Sequence, residues 1–412
     1  MADDDSVRYL LLSEDYVPLV GGHIMWLHEI CRRLGNVRVL TSAVGHLPAT
    51  EEADGVSIHR IRLKRHIFLR PESLFLYAKY LVRGALDALR TRPDVVIAAR
   101  VLPEGLVANV VSKVLRIPSV IFAYGEEIAT WGKAGVAAAR RRLTGRLKES
   151  CLWRSFRATN RIVAISQFTR NLLIEAGVHA KTVFVVRPGT DPVRFVPSEK
   201  NREMIARLGL DGKQVLLTVG RLCERKGQDT VLRAMPAVLR EVPNAVYLIA
   251  GDGEYGSELR ELADSLGIAA NVRFLGEVPQ EELPDIYGLC DVFVMPNRVL
   301  GGNDVEGFGI VFLEANACGK PVIGGRSGGV PEAVVDGETG LLVDGSSPAA
   351  VAEAVLRLLR NPDLARRLGR AGRERVCREL TWDHTGAQVK RLIEETVRGF
   401  GDTRNRGARH GT

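Results

Sequence analysis

The chain has 412 residues, 46% of them hydrophobic and 26% charged, which fits a globular protein and exceeds one ordinary core but suits two domains of about 200 residues each. Its six cysteines lie scattered with no pair at metal or redox spacing, no apolar run nears the roughly 20 residues of a membrane span, and no signal-peptide pattern opens the chain. The net charge of +8 points to anionic partners, but no helix-turn-helix, zinc or stacking-platform signature supports nucleic acid.

In chain order, the acidic start Asp3-Asp4-Asp5 is a solvated end. Apolar, β-branched runs follow at Arg8–Ser13, Val37–Ser42, Val56–Leu63, Val95–Ala98, Ser119–Ala123, Ile162–Ile165 and Val183–Val186. Helical patterns over Gly22–Leu34, Ser73–Leu89 and Gln167–Ala176 lie between them, and this alternation predicts buried parallel strands in βαβ units. Between the first strand and helix, Pro18-Leu19-Val20-Gly21-Gly22-His23 has paired glycines that let a ligand approach the backbone. It lacks the dinucleotide fingerprint, and no acidic residue caps Val37–Ser42, which argues against an NAD enzyme. After Ser119–Ala123 comes Tyr124-Gly125-Glu126-Glu127, whose glutamates either face a ligand or cap the next helix.

Two segments concentrate positive charge. One runs through Arg60, Arg62, Lys64, Arg65, His66 and Arg70; the other from Lys133 through Arg140–Arg142, Arg146, Lys148, Arg154, Arg157 and Arg161. Leu143, Leu147, Leu152, Trp153 and Phe156 interleave with the second, a mixture that suits an anionic membrane surface as well as a solvated helix face. The expected location is cytoplasmic, with peripheral attachment at the inner face of the membrane as the further expectation.

A turn-rich connection, Arg187-Pro188-Gly189-Thr190-Asp191-Pro192, restarts the pattern. Strands are predicted at Val215–Val219, Ala245–Ala250, Val272–Leu275, Val292–Met295, Val322–Gly324 and Gly340–Val343. The expected division is an N-terminal acceptor-binding domain over 1–187, a C-terminal nucleotide-sugar domain over 188–380, a helix over 381–400 that can cross back, and a flexible tail over 401–412. The fold class is α/β: two doubly wound Rossmann-like domains facing across a cleft, with ligands at the carboxyl ends of strands.

Two loops of the second half carry chemistry. Gly220-Arg221-Leu222-Cys223-Glu224-Arg225-Lys226-Gly227 follows its first strand, and Arg221 with Lys226 suits a diphosphate. Glu306-Gly307-Phe308-Gly309-Ile310 follows Val292–Met295 and opens a helix whose free amides form an anion site. Glu306 lies just before that helix, and Glu314, one turn in, can accept hydrogen bonds from vicinal hydroxyls such as a ribose. Alone, each loop is equally an ordinary glycine turn or a solvated basic loop.

In this order and on this scaffold, the loops resemble the retaining glycosyltransferases of family 4, which have the GT-B fold. The likeness is closest in Arg225-Lys226-Gly227-Gln228-Asp229 and in Asp304–Glu332, where Glu306 and Glu314 match the family's E-x7-E pair. Its wording is most similar to the GDP-mannose-dependent mannosyltransferases acting on phosphatidylinositol mannosides. The resemblance implies a catalytic set of Glu306, Arg221 and Lys226. It implies donor contacts at Gly22, Gly227, Val278, Gly307, Phe308, Gly309, Ile310 and Glu314, and a sugar- or acceptor-facing role for Tyr124 and Glu126. Where close relatives read H-G-H-E this chain has Tyr124-Gly125-Glu126-Glu127, so acceptor identity is the open question.

The activity implied is transfer of a hexosyl group, mannose from GDP-mannose, to a hydroxyl of a lipid-linked, glycan or anionic small-molecule acceptor. No D-x-D motif ends a strand, so no metal is required, and no cofactor beyond the nucleotide-diphosphate sugar is implied. Two other readings remain: a GT-B nucleotide-sugar epimerase, and a nucleotide-sugar-binding module without catalysis.

Overall fold

The computed structural model describes residues 6–19, 21–62, 72–125, 128, 143–301 and 304–409, with only the backbone described over 72–77, 143–148 and 403–409. The chain divides into two compact units, one of Met1–Arg187 with Asp383–Thr412, the other of Pro188–Trp382.

In the N-terminal unit the strands are β1 (Tyr9–Leu12), β2 (Val37–Ser42), β3 (Thr50–Ala53), β4 (Val56–Ile61), β5 (Val95–Ala98), β6 (Ser119–Ala123), β7 (Arg161–Ala164) and β8 (Val183–Val185). They form one sheet in the order β3-β4-β2-β1-β5-β6-β7-β8, parallel except for β3 on β4. All four residues of β1 and of β5 are buried, as both faces of a doubly wound sheet require. Order reverses between β1 and β5, so their carboxyl ends flank the switch point where such sheets bind ligands.

The antiparallel β3 lies outside the parallel strands predicted from the sequence. Asp54 and Gly55, at φ 52° and 76°, make the hairpin turn into β4, a geometry that favours Asp-Gly. The final helix, Trp382–Arg409, extends past residue 400, so 401–409 are helical where a flexible tail was expected. Arg33 and Asp383 bond at 2.7 Å within this unit.

Charge and burial redraw the basic segments. Arg60 is 5% exposed and pairs with Glu51 at 2.6 Å, so its charge turns inward. Leu152 and Phe156, four apart on helix 143–158, are buried in the unit's core, and Trp153 packs against it. These three apolar side chains therefore do not supply a membrane-facing surface. Lys64, Arg65, His66 and Arg70, with Lys133 and Arg140–Arg142, lie outside the described residues. Among the described residues no helix is long and apolar enough to cross a membrane.

The C-terminal unit has β9 (Gln214–Val219), β10 (Ala245–Ala250), β11 (Val272–Gly276), β12 (Val292–Met295), β13 (Val322–Gly325) and β14 (Gly340–Val343), all parallel, in the order β11-β10-β9-β12-β13-β14. Its switch point falls between β9 and β12, which pair at Val292–Leu216 and Phe293–Leu217. Helices 228–241 and 348–359 add Leu232, Met235, Val351 and Val355 to the core on one face. At the connection, Thr190 bonds to Leu380 and Trp382, and a Cβ on Gly189 would fall 2.3 Å from the Thr381 carbonyl carbon, a spacing only glycine allows.

Candidate functional site

The loops leaving β9 and β12 meet at the switch point of the C-terminal unit. After β9 the chain makes a short turn over Glu224–Lys226 and enters helix 228–241 through Gly227. After β12, Asn297 and Arg298 lead to a pinned turn in which Leu300 and Asp304 exchange backbone hydrogen bonds at 3.0 Å. Arg298 ties the two loops together: its guanidinium holds Asp229 at 2.9 and 3.1 Å, and its N–H donates to the Arg225 carbonyl at 2.9 Å.

Glu306 is the focus. Its Oε2 accepts from Lys226 Nζ at 2.5 Å, Arg225 Nη1 at 2.8 Å and Asn297 Nδ2 at 3.2 Å. Burial alone would raise this carboxyl, but the Lys226 and then the Arg225 charges outweigh it and hold it at about 2. Glu306 is therefore a carboxylate at neutral pH. Arg225, 7% exposed, also binds Asp304 through Nε at 2.9 Å, so its fork spans two carboxylates.

The backbone beside Glu306 is set by close packing. Gly329 donates its N–H to the Glu306 carbonyl at 2.9 Å, and a Cβ there would stand 1.9 Å from the Gly307 oxygen. Gly329→Ala is expected to displace the 306–309 turn, with loss of activity and a destabilisation of about 1–3 kcal/mol, checked by thermal melting beside a transfer assay. Gly309, at φ 97°, then turns the chain into helix 310–317, whose first turn has no side-chain cap. Phe312 N–H donates to the Gly309 carbonyl at 3.1 Å, and the amides of Ile310 and Val311 before it are open to an anion.

The remaining residues named from the sequence fall in three places. Phe308 is 1% exposed, a core side chain that leaves its backbone to the turn. Glu314 accepts from Tyr287 Oη at 2.6 Å; burial raises its pKa against that opposing hydrogen bond. Val278 is half-buried in the loop after β11. Arg221 is exposed in the β9 loop, its carbonyl accepting from Gln228 at 3.2 Å, so the arginine on Glu306 is Arg225 and not Arg221.

In the N-terminal unit, Gly22 opens helix 22–34, and a Cβ there would meet nothing within 4 Å, so packing imposes no need for glycine. The Tyr124 ring stands edge-on to His23 and Trp26, with centroids 5.8 and 5.7 Å apart, close in sequence to Gly22. Glu126 lies outside the described residues. Among the described residues no group of three His, Cys, Asp or Glu side chains is placed to hold a metal.

Sequence reasoning missed Arg225, Asn297, Arg298 and Tyr287. Asn297-Arg298 immediately follows Pro296 at the end of β12, a strand-end position that could have flagged it.

Comparison with known proteins agrees with this arrangement. Residues 20–194 match the model of the family described as Glycosyltransferase Family 4, and 200–375 that of Glycosyl transferases group 1. A GDP-mannose-dependent alpha-(1-6)-phosphatidylinositol monomannoside mannosyltransferase of Mycolicibacterium smegmatis is 36% identical over 93% of this chain and 97% of its own. One from Corynebacterium glutamicum, acting on the monoacylated form, is 29% identical over 95% and 99%. Among solved structures, Anabaena HepE in complex with UDP and glucose is 20% identical with a TM-score of 0.76, covering 94% of this chain and 99% of that one. A sucrose-phosphate synthase of Thermosynechococcus elongatus is 23% identical, also at 0.76, covering 94% and 98%. The chain is a glycosyltransferase of family 4, built on the GT-B fold.

Proposed function

We propose that this enzyme is a retaining mannosyltransferase that moves mannose from GDP-mannose to a hydroxyl of a lipid-linked acceptor of the phosphatidylinositol mannoside class. The observation that carries the reading is the ionised Glu306 bonded to Lys226 beside uncapped amides at the start of helix 310–317. An ammonium has three N–H donors, so Lys226 can keep one on Glu306 and turn the others to a diphosphate. Arg225 is committed to Glu306 and Asp304, which leaves Arg221 as the second cation for the phosphates.

In the reaction, the anomeric carbon–phosphate oxygen bond breaks as the acceptor oxygen bonds to that carbon from the same face. The acceptor proton passes to the departing phosphate, the base that the family resemblance implies. Lys226, Arg221 and the helix amides stabilise the charge gathering on the diphosphate. Glu306 orients the sugar hydroxyls and faces the positive charge at its anomeric centre, while Glu314 receives the ribose near Val278. The acceptor side falls to the N-terminal unit, with Tyr124 after β6 and Glu126 two residues on, while Gly22 at the start of helix 22–34 approaches the donor phosphate.

The preference for mannose and for an inositol lipid is drawn from the relatives at 36% and 29% identity, whose names carry both. The test incubates the enzyme with GDP-mannose, UDP-glucose or UDP-GlcNAc, with and without phosphatidylinositol monomannoside. An α-mannosylated lipid from GDP-mannose alone is the expected product. A free epimer made without acceptor would replace this reading with an epimerase, and binding without turnover would replace it with a binding module. Flotation on anionic liposomes tests peripheral attachment.

A further inference from the structure

The switch point of the N-terminal unit carries its own chain of polar side chains. Arg100, after β5, lies 2.7 Å from Asp15 Oδ2 in the loop after β1 and 2.6 Å from His23 Nε2. A guanidinium only donates, so in this contact His23 Nε2 is the acceptor. Next to this chain, in the turn Val101–Gly105, sits a carboxyl group that the donor chemistry does not use. Glu104 is 1% exposed; its Oε1 accepts the Glu14 backbone N–H at 2.9 Å, while its Oε2 is buried without a hydrogen-bond partner among the described residues.

The charged groups bearing on Glu104 are Arg100, which favours its carboxylate, and Glu14, which opposes it; the buried Tyr80 phenol, bonded to the Leu40 carbonyl at 3.0 Å, is also electrostatically coupled to it. From β6 and helix 143–158, the side chains against Gly105 are Ile121 and Ser155, which carry no charge. Burial dominates and pushes the acid up to about 7. A carboxylate with one oxygen out of water and unbonded is costly, so the neutral acid is the form this pocket suits.

We infer that Glu104 is a positioning residue for the acceptor half of the reaction: it anchors the Glu14 amide and thereby holds Asp15, Arg100 and His23 in register at the carboxyl ends of β1 and β5. The inference rests on the glycosyl-transfer reading, in which the N-terminal unit receives the acceptor. When Glu104 loses its proton, a further negative charge bears on Arg100, which already holds Asp15. The chain loosens, and acceptor binding weakens by more than donor binding, most of whose contacts lie on the C-terminal unit.

The test measures KM for GDP-mannose and for phosphatidylinositol monomannoside between about pH 6 and 8.5, where the fraction of neutral Glu104 falls steeply. It uses the full chain as wild type, Glu104→Gln and Glu104→Leu. Glutamine keeps an oxygen for the Glu14 amide and cannot ionise. Wild-type acceptor KM should rise about tenfold or more across the range, as its competent fraction falls, while Glu104→Gln stays near the low-pH value. Glu104→Leu should show a raised acceptor KM at every pH, and donor KM should move less than acceptor KM in all three. If the leucine variant does not fold, the glutamine variant alone decides. A pH profile shared by wild type and Glu104→Gln, or equal changes in donor and acceptor KM, overturns the inference. Absence of transfer to this lipid by the wild type would instead overturn the functional reading beneath it.

Discussion

Glu306→Gln should lower the rate of sugar transfer by about 10²–10³ while the enzyme remains folded at pH 7. The side chain keeps its size and one acceptor oxygen, but the negative charge between Lys226 and Arg225 is gone. The anomeric centre then meets a neutral amide where it would meet a carboxylate. Two cations lose a buried partner, a change that costs about 3–5 kcal/mol when a pair is broken outright and less when an amide oxygen remains. Glu306→Ala removes that oxygen too and should abolish transfer. Steady-state kinetics and thermal melting of both variants check this, and full activity in either sinks the assignment.

The same residue predicts an acid limb. The Glu306 carboxyl is held at about 2 against its usual 4.5, so between those values the unfolded chain binds more protons than the folded one. Its contribution of about 3 kcal/mol is present above roughly pH 4.5 and is lost as pH falls towards 2. Melting temperatures across this window should fall more steeply for the wild type than for Glu306→Gln.

Lys226→Ala is expected to cost transfer as much as Glu306→Gln, about 10²–10³ in kcat/KM, by a different route. Lys226, unlike Arg225, is not also tied to Asp304, and its loss should also weaken binding of GDP itself, which carries no sugar. Glu306→Gln should leave GDP binding nearly unchanged, so calorimetric titration with GDP separates the two. Since the Lys226 charge is the largest influence lowering the Glu306 pKa, its removal should also move the acid limb upward. Arg225→Leu provides the contrast: it should release Asp304 and Glu306 together and show chiefly as lost stability.

Much of this was legible in the chain. Thirteen of the fourteen strands among the described residues could be placed because their buried apolar runs, such as Val95–Ala98 and Val292–Met295, are interrupted by recognisable turns. The exception, β3, is the polar edge segment Thr50–Ala53, whose alternation of exposed and half-buried residues carries no apolar signal. Helix 106–115 escaped for the opposite reason: Leu-Val-Ala-Asn-Val-Val is as apolar as a strand, and only length and context separate the two.

At the candidate site, loop order and glycines pointed to Glu306 and Lys226, which the structure brings into contact. They singled out Arg221 with Lys226 for a diphosphate and did not single out Arg225 as the partner of Glu306. Both are arginines in one loop, and it is the short turn 224–226 that buries Arg225 and leaves Arg221 exposed. In the basic-apolar segment Leu152 and Phe156 are one turn apart and form a core stripe, a periodicity that a helical count would have shown.

The connection at Thr190 has a practical consequence. Residues Pro188–Trp382 leave and rejoin the rest of the chain at two points stitched by Thr190 to Leu380 at 2.9 Å and Trp382 to Thr190 at 3.1 Å. The C-terminal unit is in effect an insertion whose ends are already adjacent. That geometry makes Pro188–Trp382 the natural unit to excise, to exchange between relatives or to close into a circular permutant. The N-terminal unit has no such freedom, because a cut after Arg187 strips away the helix 382–409 that completes it.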